Sequence, residues 1–454
     1  MANWKEVIAQ IAVDAEEHFD LLKYRLRERL GGRDPIMILP FRGFGTQEKL
    51  YLKGRVLEDK GITSPEDNDS IWDNLVNMYK RFESDEIPYA RVRVNFQDIE
   101  KIIETDEEGY FEVWIEPDQP LDPDKLWHSV YLELIKPDRD QYPPVKAKGQ
   151  VMVPPAGARF GVISDIDDTV LKTDATHLLN MARTVFLGNA RTRLPFPGVA
   201  AFYRALLQNT QNSQRADRQK AFNPLFYVSS SPWNIYDLLS DFFHLQDIPL
   251  GPVLFLRDWG ISEDDLIPSH HHSYKLGHIR KIMDLYQDLP FILIGDSGQE
   301  DPEIYAEVVD LYPERILAIY IRNVSRGLKR PEAIHKLAKQ VAESGSSLIL
   351  AEDTLPMAEH AAEHGWISPQ DLPEIRAEIK ADIAPPGPLE SLLEEQAGEQ
   401  EQISEPPKVF VDADDDESRA SGQAIDSGAI EKALEQGDQE DDQPPTVIVN
   451  GDED

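Results

Sequence analysis

The residues most able to do chemistry together lie in Phe160-Gly-Val-Ile-Ser-Asp165-Ile-Asp167-Asp168-Thr169-Val170, where an apolar run ends in three carboxylates and a hydroxyl. Carboxylates this close repel one another and lose solvation, so a fold keeps them where a cation or a reaction requires them. The pattern D-x-D-x-T follows what reads as a buried strand. It falls at the C-terminal edge, where open α/β sheets keep their ligand crevice. A metal-assisted site with a carboxylate nucleophile is expected.

Other stretches carry compatible groups. Leu225-Phe-Tyr-Val-Ser229-Ser-Ser-Pro-Trp233 reads as a strand, then Ser231 as helix N-cap with Pro232 at the first helical position. Ser229 would face the crevice, and helix-start amides beside a hydroxyl form a phosphate cradle. Lys275 is expected to open a helix over 275–286. A cation in a first turn opposes the helix dipole, so an anionic ligand is expected there. Gly295-Asp296-Ser-Gly-Gln-Glu300-Asp301 supplies a glycine for close approach and carboxylates five residues apart. His270-His271-His272 are metal ligands by type, but no carboxylate stands at ligand spacing, and a solvated loop is the stronger reading. Arg257 beside Asp258 fits a substrate contact or an ion pair equally well.

D-x-D-x-T, a strand-end Ser, a helix-start Lys and G-D-x-x-x-x-D, in this order, resemble the haloacid dehalogenase superfamily of phosphotransferases. The strings Ser164-Asp-Ile-Asp-Asp-Thr-Val170, Phe226-Tyr-Val-Ser-Ser-Ser-Pro-Trp233, Gly251-Pro-Val-Leu-Phe-Leu-Arg-Asp258 and Gly295-Asp-Ser-Gly-Gln-Glu-Asp301 resemble the catalytic domain of the actin-patch-associated, Mg²⁺-dependent phosphatidate phosphatases, over residues 150–370. The resemblance implies that Asp165 attacks phosphorus to form an aspartyl-phosphate and that Asp167 serves as general acid, then base. It implies Mg²⁺ as cofactor, at a metal site of Asp165, Asp296, the Asp167 carbonyl and Asp301, the last orienting Lys275 or a metal-bound water. Ser229 and Lys275 would hold the equatorial phosphate oxygens. Thr169, Ser230 and Arg257 would complete the phosphate and substrate contacts, with Asp168 in the metal's outer shell. The implied reaction is hydrolysis of a lipid phosphate, phosphatidate to diacylglycerol. Two alternatives stay open. One is the same chemistry on a soluble phosphomonoester; the other is an interaction protein in which the phosphatase fold is secondary.

These residues need elements to position them. Strands are expected over 36–39, 50–57, 90–96, 110–115 and 130–135, with a helical insertion over 70–82, which together suggest a small β-sandwich. After Pro154-Pro155 the pattern becomes strands over 160–164, 225–229, 253–256, 291–295, 316–321 and 347–351. Helices are expected between them over 199–208, 233–243, 275–286, 302–312, 331–344 and 357–364. That alternation predicts an α/β domain with a doubly wound, mostly parallel sheet, of haloacid dehalogenase type. The expected division is 1–150 for an N-terminal helix (3–30) plus β-sandwich, 151–380 for the catalytic domain and 381–454 for a disordered acidic tail.

Composition sets the remaining bounds. Of a net charge of −37, residues 381–454 carry 22 Asp/Glu against three Lys/Arg, so about half the charge lies in that segment. Nucleic acid is not an expected partner of so acidic a chain. With no cysteine, thiol nucleophiles and disulfides are excluded. No secretory signal or spanning apolar stretch is visible, and a cytoplasmic location is expected. Against the acidic trend, Arg183, Arg191, Arg193, Arg204, Arg215, Arg218 and Lys220 face one acid, Asp217. This stretch fits a solvated basic loop or a peripheral contact with an anionic membrane.

Overall fold

The computed structural model describes residues 35–58, 86–123, 125–137, 144–172, 195–208, 222–257, 268–325, 329–383 and 447–449. The expected helix 3–30, the insertion 70–82, most of the basic stretch 183–220 and nearly all of the acidic tail lie outside the described residues.

The first eight strands are β1 (Ile36–Pro40), β2 (Gly43–Gly45), β3 (Leu50–Glu58), β4 (Arg91–Phe96), β5 (Ile99–Glu104), β6 (Tyr110–Ile115), β7 (Trp127–Lys136) and β8 (Lys146–Met152). They form one sheet in the order β1-β3-β2-β8-β7-β4-β5, with β6 also paired to β3. Every pairing in it is antiparallel except β2 with β8. Alternation along β4 sends Val92, Val94 and Phe96 inward. There they meet Leu52, Val56, Phe111, Val113, Val130 and Leu132 in a core of their own. Strands β2, β5 and β8 were not expected. β5 leaves most of its residues exposed, and β8 buries only Gly149, Val151 and Met152, so neither carries a clear apolar period.

The second sheet holds β9 (Gly161–Ser164), β10 (Leu225–Pro232), β11 (Val253–Arg257), β12 (Phe291–Asp296), β13 (Ile316–Arg322) and β14 (Ser347–Ala351), all parallel. Their order is β11-β10-β9-β12-β13-β14, which reverses direction between β9 and β12. Such a reversal opens a crevice at the strands' C-terminal ends. A last strand, β15 (Val447–Val449), pairs antiparallel with β14. Regular structure therefore reaches into the segment expected to be disordered.

Helices cover both faces of this sheet. On one side α1 (Val199–Leu207), α2 (Tyr236–Leu245), α6 (Thr354–Glu363) and α7 (Leu372–Ile383) pack on Val162, Tyr227, Ile292, Tyr320 and Ile349. On the other, α3 (Pro268–Leu285), α4 (Asp301–Leu311) and α5 (Lys329–Glu343) pack on Ile163, Phe226, Leu293, Ile319 and Leu348. Neighbouring residues of each strand thus enter opposite cores, which is why these strands read as continuous apolar runs. Among the described residues no helix is long and apolar enough to cross a membrane.

The two sheets share cores. Phe41 and Tyr110 enter the first helical face, and Phe44, Tyr51 and Met152 enter the second. Phe41 stacks on Trp233 at 4.2 Å, the Arg42 amide donates to Tyr236 Oη at 2.7 Å, and Tyr286 Oη donates to the Gly45 carbonyl at 2.9 Å. β8 runs to Met152, so the boundary expected at residue 150 falls inside a strand.

Candidate active site

Asp165 follows directly on β9, and its amide still pairs with the Ile294 carbonyl at 2.9 Å. The chain then turns sharply. The amides of Thr169, Val170 and Leu171 all reach the Ile166 carbonyl, and Asp168 adopts a left-handed φ of 58°. Aspartate tolerates that conformation better than most side chains. One strand over, β12 ends in Gly295 and Asp296, and Asp301 is the first residue of α4. A Cβ on Gly295 would lie 2.4 Å from Asp301 Oδ2, so the glycine is what lets Asp301 approach. The two strand ends flank the point where strand order reverses, and they bring Asp165, Asp296 and Asp301 together. One oxygen from each lies within 4.8 Å of the others, and all three residues are fully buried.

Lys275 is the cation in this cluster. Its Nζ donates to Asp165 Oδ1 at 2.7 Å and, more closely still, to Asp301 Oδ1. Burial works against its charge, but Asp165 and Asp301 outweigh that and hold its pKa above the ordinary lysine value. The expectation that Lys275 opens a helix is corrected. α3 begins at Pro268, so Lys275 lies two turns inside it, and the carboxylates rather than the helix end account for its charge. His270, His271 and His272 are helical, not loop residues. His272 meets carboxylates after all, Glu300 at 3.4 Å and Glu307 at 2.9 Å on opposite ring nitrogens.

The carboxylates are unequal. Both oxygens of Asp301 have a partner: Oδ1 takes Lys275 and Oδ2 accepts the Asp296 amide at 3.1 Å. Asp296 Oδ1 accepts the amides of Gly298 and Gln299 at 2.6 and 3.0 Å, whereas Oδ2 has no partner. Asp165 Oδ2 has none either. Burial first, then the charge of Asp301, raises the Asp296 pKa to about 7. Burial raises Asp165 well above the ordinary value, helped by Asp301, Asp167 and Asp296 and opposed by Lys275. Two buried, unpartnered carboxylate oxygens, on groups whose charge burial disfavours, are what a hard divalent cation stabilises, and an all-oxygen donor set suits Mg²⁺. Asp165 and Asp296 therefore fit a metal ion. Asp301, whose carboxylate oxygen lies within 4.8 Å of theirs, is the third acidic group of the cluster and also holds Lys275 and the Asp296 backbone.

Ser229 and Asp167 form a second pair. Ser229, buried on β10, donates to Asp167 Oδ2 at 2.8 Å, and Asp167 is only half-buried. Its carbonyl lies 3.4 Å from the Gln299 side-chain amide. Thr169 is buried, with its carbonyl accepting from Arg322 at 3.1 Å and its hydroxyl unpartnered. Ser230 lies near the end of β10 and Arg257 ends the neighbouring β11, where the register pairs Pro232 with Arg257; their side chains lie outside the described residues. The expected Ser231 N-cap is corrected: β10 runs through Pro232, a 3₁₀ turn spans Trp233–Ile235, and α2 starts after Ile235 without a side-chain cap. Arg204, counted in the basic stretch, pairs with Glu378 of α7 at 2.5 Å.

Two positioning groups escaped the motif reading. Arg330 of α5 donates to the Ser297 carbonyl at 2.8 Å and the Gln299 carbonyl at 2.5 Å, and grips Glu303 with both Nη atoms. It clamps the loop after Asp296, and nothing in its local sequence signals this. Arg322 had a weak signal, a charged residue closing the apolar run of β13.

The family model described as "Phosphatidate phosphatase APP1, catalytic domain" matches residues 160–323. Phosphatidate phosphatase APP1 of Saccharomyces cerevisiae is 33% identical over 170 residues, and an uncharacterized protein of Schizosaccharomyces pombe is 32% identical over 169. The matches cover 37% and 36% of this chain, and 27% and 25% of those proteins' own length. A carbohydrate acetylesterase from Xanthomonas citri overlaps 66% of this chain and 72% of its own, at 11% identity and a TM-score of 0.20, too low to argue from. Residues 160–323 thus resemble the APP1 catalytic domain.

Proposed function

We propose that this protein is a cytoplasmic, Mg²⁺-dependent phosphomonoesterase with a haloacid dehalogenase-type, doubly wound catalytic domain, converting phosphatidate to diacylglycerol through an aspartyl-phosphate. The observation that carries the chemistry is the pair of unpartnered, buried oxygens, Asp165 Oδ2 and Asp296 Oδ2, beside Lys275 at the strand-order reversal. The match of residues 160–323 to a phosphatidate phosphatase catalytic domain supports the lipid substrate.

The residues divide the work. Asp165 attacks phosphorus, forming a bond between its carboxylate oxygen and phosphorus as the bond to the ester oxygen breaks. Asp167, half-buried beside Ser229, protonates the departing oxygen. It then takes the proton of the water that attacks the aspartyl-phosphate, releasing inorganic phosphate and restoring Asp165. The Ser229 hydroxyl holds Asp167 through Oδ2. Lys275, held charged by Asp165 and Asp301, offsets the negative charge that gathers when phosphate enters. Mg²⁺ held by the free oxygens of Asp165 and Asp296 would neutralise the phosphoryl oxygens facing an anionic nucleophile.

The test is phosphate release from detergent-dispersed phosphatidate with Mg²⁺, for the wild type and Asp165→Asn. Release that the substitution and EDTA both abolish supports the proposal. Turnover of p-nitrophenyl phosphate without phosphatidate would move the substrate to soluble monoesters, and turnover of neither would sink the enzymatic reading.

A further inference from the structure

Arg322 closes β13 at the same sheet edge and is the register neighbour of Asp296 on β12. Its side chain is 2% exposed. Nε donates to the Thr169 carbonyl at 3.1 Å, Nη2 donates to Thr354 Oγ1 at 3.2 Å, and the guanidinium lies 4.1 Å from the Phe196 ring centre. Nη1 has no hydrogen-bond partner. Among the described residues no carboxylate accepts from it, and Asp353 acts on it only through space. It also faces the first residue of α6, where the helix dipole opposes a cation. Burial pushes its pKa down to about 10, so it keeps its charge at neutral pH.

A buried, unpaired cation at a helix start is a poor way to hold a fold together, since a neutral side chain would serve without desolvating a charge. The neighbouring site supplies a reason. Asp165, Asp296 and Asp301 are three buried carboxylates, and Lys275 is the ammonium among them. The Thr169 carbonyl that Arg322 grips belongs to the turn following Asp165. There Asp168 sits in the left-handed region and its amide pairs with the Leu171 carbonyl at 2.7 Å. Thr354 carries the tie onward, donating to the Pro197 carbonyl at 2.7 Å.

We propose that Arg322 is a positioning residue for phosphoryl transfer, tying the Asp167–Thr169 turn to β13 and α6 and setting the general acid's place relative to Asp165. Its kinetic consequence rests on the phosphatase reading; its effect on the turn does not. The test compares Arg322→Met and Arg322→Lys with wild type in the full chain. It measures kcat and KM on p-nitrophenyl phosphate with Mg²⁺, and amide hydrogen exchange across residues 166–171. For the Met variant kcat should fall about 10- to 100-fold, the usual scale for groups behind a metal site, with KM changed by no more than about threefold. Exchange should quicken in residues 166–171 while β12 and β13 stay protected. The Lys variant should recover part of kcat by restoring the charge. A Met variant within about twofold of the wild-type kcat would overturn the proposal. So would exchange that quickens throughout β12 and β13, which marks a merely structural residue. If the Met variant does not fold, Thr354→Val, which removes the Nη2 acceptor together with the donor to the Pro197 carbonyl, must quicken the same turn; unchanged exchange overturns the proposal. A wild type that hydrolyses no phosphomonoester defeats the phosphatase reading, and the exchange data then decide Arg322 alone.

Discussion

Asp296 shows the conflict between stability and function at the scale of one residue. Its pKa rises from an ordinary 3.8 to about 7, through burial and then the charge of Asp301. A carboxyl raised on folding favours the folded state at low pH, and that contribution is lost as pH rises through the folded value. The metal-free protein should therefore lose stability between about pH 4 and pH 7. The rise in Tm on adding Mg²⁺ should be larger at pH 8 than at pH 5, and an equal rise at both would contradict this. Asp296→Asn should raise the metal-free Tm at pH 8 and remove the response to Mg²⁺, because it discharges an unpartnered buried oxygen. Asp167→Asn should leave folding intact and lower kcat by about 10²- to 10⁴-fold on alkyl phosphates. The loss should shrink for p-nitrophenyl phosphate, whose leaving group needs less protonation. Residue types and spacing made Asp165, Asp296 and Lys275 legible. They could not show that Asp301 also accepts the Asp296 amide, because that contact depends on side-chain directions that spacing does not encode.

Elements place these groups, and one close joint is between β12 and α4. Gly295→Ala would drive a methyl into Asp301. Overpacking of this kind costs about 1–3 kcal/mol, readable as a lower urea midpoint. The displaced Asp301 should release Lys275, so activity should fall further than stability does. An alanine variant matching wild type in both would show that the joint has slack. Parallel strands such as β12 and β13 were plain in the sequence, since helices cover both of their faces. The start of α3 was hidden, because Pro268-Ser-His-His-His-Ser-Tyr274 is polar and lacks a helical apolar period. α7 was hidden for the same reason: Ile375 is its one buried residue, while Glu378 and Asp382 accept amides at the start of α1.

At the scale of the molecule, the two sheets belong to one compact unit in which both helical cores include residues of the first sheet. The change of pattern near Pro154-Pro155 located the second sheet but concealed this sharing, since Phe41 and Tyr51 look like core residues of a separate sandwich. Phe41→Ala removes a fully buried ring stacked on Trp233, and such truncations cost about 3–5 kcal/mol. Its unfolding should remain a single transition, shifted alike for probes in either sheet. A shift confined to the first sheet would mean that the two unfold separately.

In the proposed reaction Asp165 accepts the phosphoryl group. Rapid acid quench during turnover of phosphatidate, followed by mass spectrometry of the peptide containing Asp165, tests it most directly. A phosphoryl adduct on Asp165 that requires Mg²⁺ and is absent from Asp165→Asn is the predicted result. Turnover that proceeds at the wild-type rate in Asp165→Asn, or an adduct on another residue, would contradict it.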